Sequence, residues 1–247
     1  MELWSERSKI LAGSALNPNE ADSFLLGVPY DSGCISVPGQ RLAPQAIRYY
    51  LESFEPRKPK IYDIGDLIVA PEFSVLRKRL KETIPRIPGK AVFLGGDHSI
   101  TLPIVEALKP KLVVSFDAHC DHRDEYLGGR LNAATVMKRV SEICEVVVIG
   151  VREKFGGNCV MADEIESFSP GDKKRAYLSI DVDVLDPSIM PGTGTPVPPG
   201  ITLKKLFELI DKFEPVSADI VEVNPLIEKN VSCSTAATIL LKLFENF

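Results

Sequence analysis

Two short segments, KLVVSFD ending at Asp117 and EVVVIG ending at Gly150, are apolar at consecutive positions instead of alternate ones. A strand with one face in water alternates apolar with polar residues, so strands like these must be covered on both faces. Runs of the same kind recur at Ser23–Pro29, Lys60–Asp66, Ala91–Gly95, Leu112–Asp117, Glu145–Gly150, Ala176–Asp181 and Ala218–Val223. Between them lie turn residues and helical patterns, at Pro44–Phe54, Phe73–Thr83, Leu102–Leu108, Ala133–Ile143, Leu203–Phe213 and Ser234–Phe244. Such alternation implies a parallel sheet with helices on both sides, a three-layer α/β/α arrangement. At 247 residues and 45% hydrophobic, the chain can bury a sizeable core, and one domain over residues 1–247 is expected. The stretch LDPSIMPGTGTPVPPG, from Leu185 to Gly200, holds too much proline and glycine for a regular element and is expected to be a loop.

A net charge of −5 gives no electrostatic reason to bind nucleic acid or an anionic membrane, and suits a small cationic substrate better. Cys34, Cys120, Cys144, Cys159 and Cys233 are scattered and form no CxxC pair, so neither a disulfide framework nor a zinc knuckle is indicated. Charges interrupt the apolar residues of Met1 to Lys9, and no apolar run approaches the roughly 18 residues of a membrane span. The expectation is a cytoplasmic protein with neither leader nor span.

Three polar clusters each follow an apolar run, and open parallel sheets bind ligands beyond the carboxyl ends of their strands. In FLGGDHS, Gly95 and Gly96 permit a tight turn that leaves His98 projecting from the sheet edge; alone, a histidine there is more often structural or at the surface than a ligand. In SFDAHCDHRDE, Asp117, His119 and Asp121 are two residues apart and face one side of an extended chain, with Cys120 packed on the other. In YLSIDVDVLDP, Asp181 and Asp183 repeat that spacing. Paired carboxylates at a buried strand end repel each other, and a divalent cation removes the cost; turn residues in solvent are the alternative. Pooled, four aspartates and two histidines suit a hard or borderline ion: Mn²⁺ first, with Co²⁺, Fe²⁺ or Zn²⁺ as alternatives. Six ligands exceed what one catalytic ion needs and match two bridged ions.

These blocks, in the order GGDHS, DAHCD, SIDVDVLDPSIMPGTGTPVPPG and DIVEVNP, resemble the ureohydrolase family of arginases and agmatinases, in its archaeal agmatinase form. GVPYDSG and PGQRLAPQAIR look like the family's opening strand and the loop into its first helix. The resemblance implies a mainly parallel central sheet of about eight strands, and a homo-oligomer, trimeric or hexameric. It makes His98, Asp117, Asp121 and Asp181 ligands of one Mn²⁺, and Asp117, His119, Asp181 and Asp183 ligands of the other, with Asp117 and Asp181 bridging. It implies hydrolysis of a guanidino group to urea and an amine, with Asp121 orienting the water and relaying its proton. Glu222 would hold the guanidinium, as a planar carboxylate accepting two parallel N–H bonds; Asp31 and Asp186–Gly200 would lie near the mouth without a definite role.

One departure stands out. The family usually carries a histidine after DAHxD that helps protonate the leaving amine, and Asn132 in GGRLNAATVMKR occupies that place. General acid–base help is typically worth about 10²–10⁴-fold, so activity is expected to be low unless His122 or water carries the proton, and Asn132→His is expected to raise turnover. Agmatine is the expected substrate, with Asp124 or Glu125 meeting its distal ammonium, and another guanidino or formimino compound is the alternative. Two competing readings remain: a non-catalytic metal-binding relative, favoured by Asn132, and an amide-cleaving hydrolase on a related fold, whose usual single-metal site would leave Asp121 and one bridging carboxylate without work.

Overall fold

The computed structural model describes residues 5–6, 17–51, 60–153, 155–171 and 174–247. Among these residues the sheet has nine strands: β1 (Ser5–Glu6), β2 (Ser23–Gly27), β3 (Ile61–Leu67), β4 (Ala91–Leu94), β5 (Leu112–Phe116), β6 (Glu145–Val151), β7 (Cys159–Met161), β8 (Lys174–Asp181) and β9 (Phe213–Val221). Their order across the sheet is β1-β3-β2-β4-β9-β8-β5-β6-β7, and every pairing is parallel except β1 with β3.

Side chains on successive strand positions point to opposite faces, and here both faces are covered. Leu25, Val92, Val114, Leu178 and Ala218 pack on one side with α1 (Ala43–Leu51), α5 (Leu203–Ile210) and α6 (Asn230–Glu245). Phe24, Phe93, Val113, Tyr177 and Val221 pack on the other with α2 (Phe73–Thr83), α3 (Thr101–Leu108) and α4 (Val136–Ser141). This is the three-layer, mainly parallel architecture that the consecutive apolar runs imply.

Several boundaries differ from those read in the sequence. Residues 52–54 of the helix expected at Pro44–Phe54 lie outside the described residues. Phe213, expected to end α5, instead opens β9 and packs edge-on against Phe116 at 6.3 Å. Pro215 conceals this start, because it lacks an N–H; the β8–β9 register slips immediately after it, and the strand then resumes. At its other end β9 stops at Val221, because Glu222 turns left-handed with φ 65°. Helix α6 begins at Asn230, four residues before Ser234, because the Glu228 carboxylate accepts the N–H groups of Asn230, Val231 and Ser232 at 2.6, 3.0 and 2.8 Å. The expected loop from Leu185 to Gly200 contains no strand or α-helix.

Candidate active site

The strands β4, β9, β8 and β5 are adjacent and parallel, so their carboxyl ends open on one edge of the sheet. His98 follows β4, Glu222 follows β9, Asp181 and Asp183 end and follow β8, and Asp117, His119 and Asp121 follow β5. Sequence separations of over a hundred residues thereby collapse into one crevice, at a place where chain order and sheet order diverge.

Local structure fixes each side chain. Neither Gly95 nor Gly96 adopts a left-handed φ; Gly96 is needed because a Cβ there would lie 1.7 Å from the Tyr30 carbonyl oxygen. The expectation of a turn requiring glycine flexibility is thus corrected to one of close backbone approach. Asp97 then caps the His98–Ile100 turn by accepting the Ser99 N–H at 2.9 Å, and also accepts the Gly33 N–H at 2.7 Å; burial pushes its carboxyl up to about 6. Asp121 has φ 47°, and its carbonyl accepts the Met137 and Lys138 N–H groups at the start of α4, at 3.0 and 3.2 Å. Carboxylates also bind neighbouring backbone: Asp181 accepts the Asp183 N–H at 3.0 Å, Asp183 that of Ala118 at 3.0 Å, and Asp117 that of His119 at 2.6 Å.

All six residues read as ligands lie together. His98 Nδ1 is 3.0 Å from Asp121, 3.2 Å from Asp181 and 3.4 Å from Asp117, and His119 Nδ1 is 2.9 Å from Asp183 and 3.5 Å from Asp117. The candidate ligand atoms fall into two groups, His98–Asp117–Asp121–Asp181 and Asp117–His119–Asp183, each within 4.8 Å. Asp117 is shared, and its Oδ2 is buried with no hydrogen-bond partner. A lone pair stranded between histidine nitrogens and carboxylates fits a cation, since a buried unpaired acceptor is costly.

Electrostatics carry the same message. Burial and the charge of Asp117 push Asp121 up to about 7, and burial with Asp183 and Asp117 holds Asp181 well above the usual carboxylate range. Burial would lower both histidines, but adjacent carboxylates outweigh it, holding His98 well above its ordinary value and raising His119 to about 12. So much negative charge in one buried place retains protons unless divalent cations neutralise it.

Behind His98 lies a second polar layer that sequence reasoning missed. His98 Nε2 is 3.0 Å from Ser179 Oγ, which donates to buried Asp219 at 2.6 Å; Tyr177 and Thr101 donate to the same carboxylate at 2.6 and 2.8 Å. With Nε2–H engaged by Ser179, Nδ1 is the nitrogen that faces the carboxylates. The available signal was the polar set Tyr177, Ser179 and Asp219 in the buried middle of β8 and β9.

Glu222 lines the same pocket as His119, Asp121, Asp181 and Asp183. Its Oε1 accepts the His98 N–H at 2.8 Å and its Oε2 the Gln40 side-chain amide at 2.9 Å, while burial and the charge of Asp97 push it up to about 8. His122 also lines the pocket, its ring packed on Gly156 and Gly157; burial and the cations Lys138 and Arg139 lower its pKa.

Two expected substrate contacts are not brought to this pocket. Asp124 is exposed and pairs with Arg130 at 3.1 Å and with Arg139, so it is already neutralised away from the crevice. Asn132 donates to the carbonyls of Tyr126 at 2.9 Å and Gly129 at 3.3 Å, closing its own loop, while the adjacent Ala133 and Ala134 line the pocket. The wall instead carries Arg123, stacked 3.9 Å from the Phe155 ring and 5.1 Å from that of Tyr126. Glu125 is exposed and is not among the pocket residues.

Comparison with known proteins agrees with this geometry. The model of the arginase family matches residues 21–168 and 154–245. An agmatinase of Pyrococcus horikoshii is 33% identical, with 97% of each chain covered. An N(1)-aminopropylagmatine ureohydrolase of Thermococcus kodakarensis is 34% identical, with 84% of each chain covered. The crystal structure of an agmatine ureohydrolase of Thermoplasma volcanium superposes with a TM-score of 0.84 at 25% identity, covering 100% of this chain and 94% of that one. By the extent of the family match and by these identities, the chain belongs to the arginase family and is a hydrolase acting on guanidino groups.

Proposed function

We propose that this arginase-family hydrolase cleaves agmatine to putrescine and urea, using two Mn²⁺ held by His98, Asp117, His119, Asp121, Asp181 and Asp183. The observation that carries the reading is the pair of ligand groups sharing Asp117, whose buried Oδ2 accepts no hydrogen bond, with Glu222 lining the same pocket. Oxygen-rich sites of this composition suit Mn²⁺. When bound, such a pair supplies Lewis acidity that yields a nucleophilic water near neutral pH.

The chain's own residues do the rest. Glu222 accepts two N–H groups of the guanidinium and so presents its carbon to the carboxylate floor. Asp121 orients the attacking water and takes its proton. Water oxygen bonds to the guanidinium carbon, the bond from that carbon to the alkyl-bearing nitrogen breaks, the second water proton is released as the urea carbonyl forms, and the first passes to that nitrogen as it leaves. His122, on the pocket wall, is the side chain assigned to that last transfer.

Agmatine follows the nature of the similar proteins. Arg123 favours a second reading, a guanidino acid whose distal carboxylate meets the stacked cation, although Glu153 lines the same wall with the opposite charge. Urea release from agmatine, arginine and guanidinobutyrate, with and without Mn²⁺, separates these. Agmatine should lead and should need the metal; no urea from any of them in the metal-loaded protein would favour a non-catalytic relative.

The proposal extends to a cytoplasmic homo-oligomer, trimeric or hexameric, with residues 1–247 as one domain. Val37, Leu42, Tyr49, Leu226, Ile227 and Val231 support self-association, being exposed apolar residues on two segments joined by the Asn224–Val37 and Tyr50–Asn230 hydrogen bonds. Among the described residues, no helix is long and apolar enough to cross a membrane.

A further inference from the structure

Glu222 is held by more than its own backbone. Its Oε1 accepts the His98 N–H at 2.8 Å, and its Oε2 accepts the Gln40 Nε2 amide at 2.9 Å. Gln40 is fully buried, and the same nitrogen donates to Cys34 Sγ at 3.3 Å. Both amide hydrogens are thereby used, and Gln40 Oε1 is a buried acceptor without a partner. An unpaired buried acceptor costs stability, a cost that an apolar residue filling the same space would not carry. What the glutamine adds at this position is its donors.

The segment that delivers Gln40 is tied to the segment that carries Glu222. Gly39 lies against Asn224 so closely that a Cβ, already disfavoured at φ +153°, would be 2.2 Å from Asn224 Oδ1. The Gly39 N–H donates to Asp31 at 2.9 Å, and the Asn224 amide donates to the Val37 carbonyl at 2.8 Å. Two of these contacts join the segments, and the Asp31 bond fixes the shape of the Gln40 loop, so the contact between Gln40 and Glu222 is built in.

We propose that Gln40 is a positioning residue for Glu222, fixing the plane of its carboxylate so that the remaining lone pairs meet a planar cation with two parallel N–H donors. The proposal rests on the reading of Glu222 as the guanidinium site. A carboxylate donated to on both oxygens cannot swing freely, and a bidentate partner loses most when the plane is lost. A point cation tolerates rotation better.

The test compares the metal-loaded parent with Gln40→Met, which keeps length and burial but removes the donors, and with Gln40→His, which can present an N–H at similar reach. KM for the best guanidino substrate and the inhibition constant of free guanidinium should both rise about tenfold in Gln40→Met, with kcat changed by less than about threefold. Metal content should be unchanged, and Gln40→His should recover most of the loss. Gln40→Asn withdraws the amide from Oε2 while staying polar, and takes the place of Gln40→Met if that variant does not fold. Unchanged KM in a folded, metal-loaded variant overturns the proposal, as does a loss that follows metal content. Calorimetry with guanidinium separates this from the proposed activity. A parent that releases no urea but binds guanidinium in a Gln40-dependent way sinks the activity and keeps the positioning, whereas a parent that binds none overturns both.

Discussion

The floor of the crevice and its wall are built on opposite terms. The floor residues His98, Asp117, Asp181 and Asp183 are buried at the ends of central strands, and their carboxylates are tied to backbone N–H groups two residues on or just past the neighbouring strand. The wall runs through residues 122–134, where partners are side chains and loop carbonyls: Asp124 with Arg130 and Arg139, Asn132 with Tyr126 and Gly129, Arg123 on Phe155. Strand ends leave a side chain one direction to point, whereas a loop lets each side chain settle on whichever partner is nearest. The chemistry should therefore fail sharply with changes in the floor and weakly with changes in the wall.

The largest expected effect is in the floor. Asp117→Asn removes the carboxylate shared by the two ligand groups found among the described residues, so it should empty the site of metal and lower kcat/KM by well over about 10²-fold, the upper end for losing an outer hydrogen-bond partner. Metal analysis of the purified variant, alongside urea release, reads both; full metal content with normal turnover would break the equation of the floor with the metal site. Next in size is Glu222→Gln, which keeps shape and burial but removes the charge opposite the guanidinium. It should lower kcat/KM by about 10²-fold, the loss of charge-assisted bonds, with metal content unchanged. Equal turnover in the variant would remove Glu222 from substrate binding and leave the floor a metal site alone.

This difference also sets how much could be read from the sequence. Consecutive apolar runs imply covered parallel strands, and a spacing of two places Asp117, His119 and Asp121, or Asp181 and Asp183, on one side of an extended chain, so both the layers and the floor were legible. The start of β9 was hidden by Pro215, and β7 by having only three residues. The wall was illegible for a physical reason: Asp124, two residues from His122, looks available to a substrate ammonium until Arg139 is known to reach it from α4. Gln40 was equally hidden. Its partner lies 182 residues away, and nothing in PGQRLAP distinguishes a buried donor from a loop amide.

The smallest effect expected is at Asn132, where the family resemblance argued for a gain in turnover on restoring histidine. The Asn132 amide does not face the pocket; it donates to the carbonyls of Tyr126 and Gly129. Those carbonyls keep other partners, since Gly129 N–H donates to Tyr126 at 3.0 Å and Tyr126 N–H to Gly129 at 2.9 Å. Asn132→His should therefore strand no acceptor and should cost about 1 kcal/mol, the net worth of an ordinary hydrogen bond. For a chain of this size that corresponds to a fall in Tm of about 2–4 °C, readable by calorimetry. With its ring pushed toward the loop, the histidine should leave kcat within about twofold of the parent, against the 10²–10⁴-fold that a placed general acid supplies. His122→Ala is the companion, and should lower kcat if the pocket-facing imidazole protonates the leaving amine. A tenfold gain from Asn132→His at unchanged metal content would mean that the loop turns this position into the crevice when substrate binds, and that the wall is as catalytic as the floor.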